Sequence, residues 1–333
     1  MLRCRHRTDR RPPTLNATDT TDATAGRLVD VARLPFRTGC LKVSERVVLD
    51  DGAMSSATAP SPPVRHRPVE IAPDTFVIQA TVGEGVAPQA IHMNSMVIRG
   101  AEPVVVDTGC PVHRKQYLED LFALVEPDDV RWVFISHDDP DHHGNLEAVM
   151  DACLNATLVA SWFMCERLGA EGFKVSPSRW RWLGDRDTLD AGDRAFALVR
   201  PPLYDSPTTR GLFDPITGVY WASDCYATPV EQGTAFVSQL DPDMWAAGFA
   251  AFNLWNSPWV SITDPDAFGV QCSRVEQLRP TTIASTHGPT IEASHLPQAF
   301  DMLRRLPDTP VPPQPDQATL DHIVAAMNNV ADG

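Results

Sequence analysis

The stretch Ser136-His137-Asp138-Asp139-Pro140-Asp141-His142-His143-Gly144 decides how this chain is read. It follows Val133-Phe134-Ile135, an apolar run that reads as a buried strand. Six imidazole or carboxylate side chains therefore crowd seven positions at a strand end. Carboxylates repel one another and prefer water, so a bound cation is the natural reason to gather them. His137, Asp139 and Asp141 recur at every second residue, with His142 adjoining. In a tight loop that alternation aims two groups at one metal and two at a second.

Working outward, three further candidates come in chain order. Asp205 lies in Pro201-Pro202-Leu203-Tyr204-Asp205-Ser206-Pro207, Asp224 in Trp221-Ala222-Ser223-Asp224-Cys225, and His287 in Ser285-Thr286-His287-Gly288-Pro289. Each sits at the end of an expected strand or in the loop after it. Upstream, Pro103-Val104-Val105-Val106 reads as another buried strand that ends in Asp107-Thr108-Gly109. The pattern elsewhere predicts strands over 75–81, 95–98, 131–135, 156–160, 196–199, 219–222 and 281–285. It predicts helices over 117–125, 144–153, from 161, 242–255 and 265–278, with a last one over 318–330. Alternation of this kind gives an α/β fold with mixed sheets and its site at strand C-terminal ends. Residues 1–66 lack hydrophobic periodicity and read as a disordered extension. Met54 offers an alternative start, which would leave residues 1–53 untranslated. Residues 67–305 form the expected domain, and 306–333 a Pro-rich linker with a C-terminal helix.

Composition narrows the partners. Across 333 residues the chain is 43% hydrophobic and 21% charged, ordinary for a soluble globular protein. A net charge of -15 argues against nucleic acid, whose phosphates would be repelled. Seven cysteines without a Cys-x-x-Cys pair suggest a reduced, cytoplasmic setting. No apolar run approaches the ~18 residues of a membrane span, so no membrane is expected.

The ordered motifs resemble the metallo-β-lactamase fold superfamily, an αββα sandwich of two mixed sheets flanked by helices. Asp107-Thr108-Gly109 matches its first motif, and the resemblance covers roughly residues 69–305. Within it the chain is similar to the flavodiiron protein core and to stand-alone oxygen-binding diiron proteins. Hydrolytic members usually carry His-x-His-x-Asp-His, whereas flavodiiron-like members replace the second His by a carboxylate, as Asp139 does here. The resemblance implies that His137, Asp139 and Asp205 hold one metal, that Asp141, His142 and His287 hold the second, and that Asp224 bridges both. Dinuclear sites place their ions ~3.5–4 Å apart, within reach of one carboxylate. Two departures stand out. Residue 139 is Asp where flavodiiron proteins use Glu, and residue 205 is Asp where they use His. Three imidazoles and four carboxylates favour iron, with manganese or zinc as alternatives.

The resemblance allows two chemistries. A diiron protein would bind or reduce O2 or NO, using electrons from an external flavoprotein or rubredoxin-like donor. Too few residues follow His287 for an FMN-binding flavodoxin domain. A hydrolase would instead use a metal-bound hydroxide on an ester, thioester or phosphodiester, with Asp141 orienting it and Asp224 between the ions. A homodimer is compatible with either. Among neighbouring residues, Asp138 is expected to face solvent, His143 to lie at the surface or behind the ligands, and Asp107 to brace the loop. His92 reads equally as pocket lining or as a plain loop histidine, and Cys225 as a small buried thiol. The stretch 226–262 is expected to shape the pocket.

Overall fold

The computed structural model describes residues 64–331, so the expectations for residues 1–63, including the Met54 start, lie outside the described residues. The chain begins with β1 (Val64–Arg65), β2 (Val69–Ala72), β3 (Thr75–Ile78), β4 (Ala80–Val82), β5 (Ile91–His92), β6 (Ser95–Ile98) and β7 (Val104–Val106). Next come α1 (Arg114–Leu124), β8 (Trp132–Phe134), α2 (Pro140–His143), α3 (Leu146–Ala152), β9 (Thr157–Ala160), α4 (Trp162–Ala170) and β10 (Trp180–Trp182). The second half holds β11 (Thr188–Asp190), β12 (Ala195–Val199), β13 (Gly211–Phe213) and β14 (Val219–Trp221). It continues with α5 (Pro242–Asn256), α6 (Pro265–Glu276), β15 (Thr282–Ala284), β16 (Ile291–Glu292), α7 (Leu296–Arg305) and α8 (Gln317–Ala331).

Two large sheets result. One runs β10-β9-β8-β7-β6-β3-β2, and the other β11-β12-β13-β14-β15-β16. The first is parallel from β7 to β10 and antiparallel from β2 to β7. The second is antiparallel except where β14 pairs with β15 in parallel. Val105 and Val106, in the all-valine strand β7, illustrate why the sheets stack. A parallel strand buried on both faces reads as continuously apolar, and its successive side chains point into different layers. Val106 joins Phe134, Val159, Phe196, Leu212 and Trp221 in the core between the sheets. Val105 points outward to Leu121, Val149 and Met164 of α1, α3 and α4. The outer face of the second sheet packs Tyr220 and Ile283 against Trp245, Phe268 and Ala299 of α5, α6 and α7. Helix, sheet, sheet, helix is the sandwich expected from the sequence.

Local chemistry sets the helix starts. Asp241-Pro242 and Asp264-Pro265 repeat one signal, an N-cap carboxylate ahead of a proline that has no N–H to lose. Asp241 accepts from the N–H groups of Asp243 and Met244, and Asp264 from that of Ala267. Three expectations shift. The strand over 75–81 breaks at Gln79, and its second part, β4, pairs with β1 and β5 in a small third sheet. The helix expected over 144–153 is preceded by the one-turn α2, which Pro140 starts inside the His- and Asp-rich loop. Strands β1, β2, β5, β10, β11, β13 and β16 and helix α7 are additions, because each is short or carries Gly or Pro at its start; β1 corrects the expectation of disorder at 64–66, where Val64 and Arg65 pair with Thr81 and Ala80. Among the described residues no helix is long and apolar enough to cross a membrane.

Candidate metal centre

The parallel pairings bring the site together. Val106 of β7 lies beside Phe134 of β8, and Trp221 of β14 beside Ala284 of β15. The loops after these four strands therefore leave the sandwich at one end. They carry Asp107, the 136–144 loop, Asp224 and His287. Asp205 arrives on the loop after β12, which is tied in place by the Arg210 N–H donating to the Ser136 carbonyl at 2.7 Å. On its other side the Trp259 indole donates to the Tyr204 carbonyl at 2.8 Å.

All seven expected ligands converge. His137 Nε2 faces Asp139 Oδ2 at 3.4 Å, Asp205 Oδ1 at 3.8 Å and Asp224 Oδ2 at 3.9 Å. His142 Nε2 lies 2.9 Å from Asp224 Oδ1 and 3.9 Å from Asp141 Oδ2. His287 Nε2 lies 3.1 Å from Asp141 Oδ2 and 3.3 Å from Asp224 Oδ1. The Asp224 carboxylate thus turns one oxygen to His137 and the other to His142 and His287. Asp139 occupies the N-cap position of α2, yet its side chain makes no capping bond. It forgoes roughly 1 kcal/mol of helix stabilisation and turns toward His137 instead.

Each imidazole is held from behind through Nδ1. His142 Nδ1 meets Asp107 Oδ2 at 2.8 Å, His287 Nδ1 meets the His92 carbonyl at 2.8 Å, and His137 Nδ1 meets Ser223 Oγ at 3.2 Å. A carboxylate or carbonyl only accepts, so Nδ1 of His142 and of His287 carries a proton, and Nε2 is the ring atom left to face a cation in the centre. His137 Nε2, His142 Nε2 and Asp224 Oδ1 are buried without a hydrogen-bond partner. Buried polar atoms left without a partner are costly; a cation between them would satisfy them. The residues present therefore fit one or two divalent ions.

Asp107 is the brace. Its carboxylate is fully buried and accepts from Ser136 N (2.6 Å), Ser136 Oγ (2.6 Å), His142 Nδ1 (2.8 Å) and Trp221 Nε1 (3.0 Å). Asp107 and Ser223 both take left-handed backbone conformations, with φ of +55° and +54°. Such conformations are unusual outside Gly and gather at functional sites. Ser223 Oγ also contacts Ser136 Oγ at 2.9 Å, linking the loops of the two sheets.

The electrostatics without a metal point the same way. Burial disfavours a charge on His142, yet Asp224 and Asp107 raise its pKa well above the ordinary value. Burial also opposes His287, but Asp224 and Asp141 push it up to about 10. His137 rises against burial and the neighbouring His142, mainly through Asp224. Burial would raise Asp224, but His142, His137 and His287 hold it well below the usual carboxylate range. Asp205 goes the other way, raised by burial and by Asp224. Protons on the imidazoles stand in for positive charge that the carboxylates demand.

Comparison with known proteins agrees with this architecture. The family model described as "ODP family beta lactamase" matches residues 91–288. The chain belongs to the ODP beta-lactamase family. A relative from Nostoc sp. strain PCC 7120, named as a diflavin flavoprotein (A 2), is 30% identical over 191 residues, covering 54% of this chain and 32% of its own length. A diflavin flavoprotein A 1 from Synechocystis sp. strain PCC 6803 is 23% identical, covering 60% of this chain and 34% of that protein. The ODP-family chain therefore spans about a third of these relatives. Its fold matches the rubredoxin oxygen:oxidoreductase of Desulfovibrio gigas with a TM-score of 0.62 at 15% identity, covering 73% of this chain and 62% of that one.

Other residues of this ODP-family chain answer the sequence reading individually. Asp138 does not face solvent: it is 4% exposed, because the alternation that turns His137 and Asp139 inward turns Asp138 against the 206–208 loop. His143 is half-buried in a groove with Arg114, Glu147 and Lys174, apart from the seven side chains. His92 is buried and serves through its carbonyl, while Nε2 of its ring accepts from Thr234 N at 3.4 Å. Cys225 is a buried thiol. Within 226–262, Phe252 lies against the His287 ring at 5.2 Å and Asn256 Nδ2 reaches Asp224 Oδ2 at 3.4 Å. Sequence reasoning missed both, and also Asn94, whose amide clamps the Ser285 and Gly288 carbonyls around His287 at 3.0 and 2.8 Å. No spacing rule marks these, since they approach from separate elements.

Proposed function

We propose that this chain holds two iron ions and binds or reduces O2 or NO, taking electrons from an external flavoprotein or rubredoxin-like donor. The observation that carries the reading is the donor set itself. Three imidazoles are held through Nδ1 or fixed against Ser223, with Nε2 inward, and four carboxylates surround them. His137, Asp139 and Asp205 would hold one ion; Asp141, His142 and His287 the other; and Asp224 would give one oxygen to each. Bound ferrous ions would supply the affinity for a diatomic ligand and the reducing electrons. Oxygen-rich ligation suits iron or manganese better than zinc, and four anionic ligands stabilise the more positive, oxidised state.

The chain's own residues do the rest. Asp107, the His92 carbonyl and Ser223 fix ring orientation, so that the lone pairs need no rearrangement when a ligand arrives. Phe252 covers one side of His287 with an apolar face and Asn256 offers an N–H at the rim of Asp224. Membership of the ODP family, the flavodiiron-type fold and the names of its relatives support the reading. The test is turnover: iron-loaded protein, given a chemically reduced flavoprotein or rubredoxin, should consume O2 or NO faster than donor alone. Hydrolysis of a thioester or phosphodiester panel without O2 or NO consumption would replace this function with the hydrolytic one.

A further inference from the structure

Asp138 sits between two of the proposed ligands and faces away from them, into a place of its own. Ser206 Oγ and Thr208 Oγ1 both donate to Asp138 Oδ1, at 2.8 and 2.6 Å. Arg167 Nε, from α4, pairs with Oδ2 at 2.5 Å. The Asp138 side chain is 1% exposed and that of Arg167 43%. A buried carboxylate so close to Asp139 and Asp205 adds negative charge to a site already crowded with it, and Arg167 offsets that charge. Ser206 immediately follows Asp205. The hydroxyl bonds therefore fasten the loop carrying Asp205 to the loop carrying His137 and Asp139, which it approaches from the other sheet. Among the described residues no side-chain hydrogen bond joins the Asp205 loop directly to Asp141, His142 or His287; His142 is backed by Asp107 and Ser136 Oγ, and His287 by the His92 carbonyl.

We propose that Asp138 is a positioning residue, a latch that sets the half of the centre formed by His137, Asp139 and Asp205 separately from the other half. The inference rests on the two-metal reading above. Its functional meaning is asymmetry: one half is assembled by side-chain contacts across two loops, and its affinity is set by a residue that touches no metal.

Anaerobic Fe2+ titration of the full chain tests it. Wild type should take up two ions. Asp138→Ala should weaken one of the two by about 10- to 100-fold, the usual effect of removing a support behind a ligand, and leave the other at its wild-type affinity. Asp138→Asn keeps an oxygen for both hydroxyls but sets its NH2 against Arg167 Nε–H, and should recover part of that loss. Should Asp138→Ala fail to fold by circular dichroism, Ser206→Ala combined with Thr208→Val, which leaves the Arg167 pair intact, must give the same one-sided weakening. Two unchanged affinities, or equal weakening of both, in a folded variant would overturn the latch. A wild-type chain that takes up fewer than two ions would instead sink the two-metal reading, and the latch with it.

Discussion

Replacing Asp107 by asparagine removes one oxygen from a carboxylate that meets four donors, and the geometry determines which bond is lost. Oδ1 accepts from Ser136 N, while Oδ2 accepts from Ser136 Oγ, His142 Nδ1 and Trp221 Nε1. An amide has a single oxygen. With that oxygen in the Oδ1 place, the NH2 confronts Trp221 Nε1 and His142 Nδ1, both donors. With it in the Oδ2 place, the NH2 confronts only the Ser136 N–H, so this orientation wins. The buried Ser136 N–H is then unpaired, at a cost of about 1–3 kcal/mol. The remaining three bonds lose the charge that made them roughly twice as strong as neutral ones. Together these effects give a destabilisation of about 2–4 kcal/mol. Urea denaturation of metal-free Asp107→Asn should therefore show a lower midpoint at unchanged slope, which reports stability alone. A loss below about 0.5 kcal/mol, the range of an ordinary surface change, would refute the claim that Asp107 braces the loop.

Single features elsewhere have consequences of their own. Asp224→Ala should lower metal occupancy at both positions by elemental analysis, since each carboxylate oxygen faces a different half of the centre; retention of two ions would contradict the bridging assignment. In the metal-free chain His287 is pushed up to about 10 by Asp224 and Asp141 against burial, so its stabilising contribution is full below the ~6.5 of an unfolded histidine and disappears as the pH rises through about 10. Metal uptake near pH 7 should accordingly release protons, seen as different apparent enthalpies in two buffers of unequal ionisation heat, and identical enthalpies would oppose it. Gly144 has an ordinary φ of -61°, but a Cβ there would overlap Pro111 Cδ and the Pro140 carbonyl. Gly144→Ala should cost about 1–3 kcal/mol as an overpacked site, displace α2 with Asp141 and His142, and weaken metal binding; a variant as stable as wild type would show that the loop has room.

Much of this site was legible because its residues lie where sequence is most regular. His137, Asp139, Asp141 and His142 follow an apolar strand, and the fold then fixes them at its C-terminal end. Asp224 and His287 stand in the same way in the loops that follow β14 and β15. What escaped is tertiary. Asp138 reads as solvent-facing until β12 and its loop bring Ser206 and Thr208 against it, and no local pattern encodes that approach. Asn94 approaches from the turn before β6, and Phe252 and Asn256 from α5, far along the chain from the His287 and Asp224 segments they touch or enclose. Among secondary elements, β13 opens with Gly211 and α7 carries Pro297 in its first turn, signals that read locally as breaks.

Metal content tests most directly whether the seven side chains hold two iron ions. Protein isolated anaerobically from a host grown with ample iron should contain close to two irons per chain and develop oxo-bridged ferric absorption in air. Two zincs per chain under the same conditions, with no absorption change on exposure to air, would contradict two-iron binding.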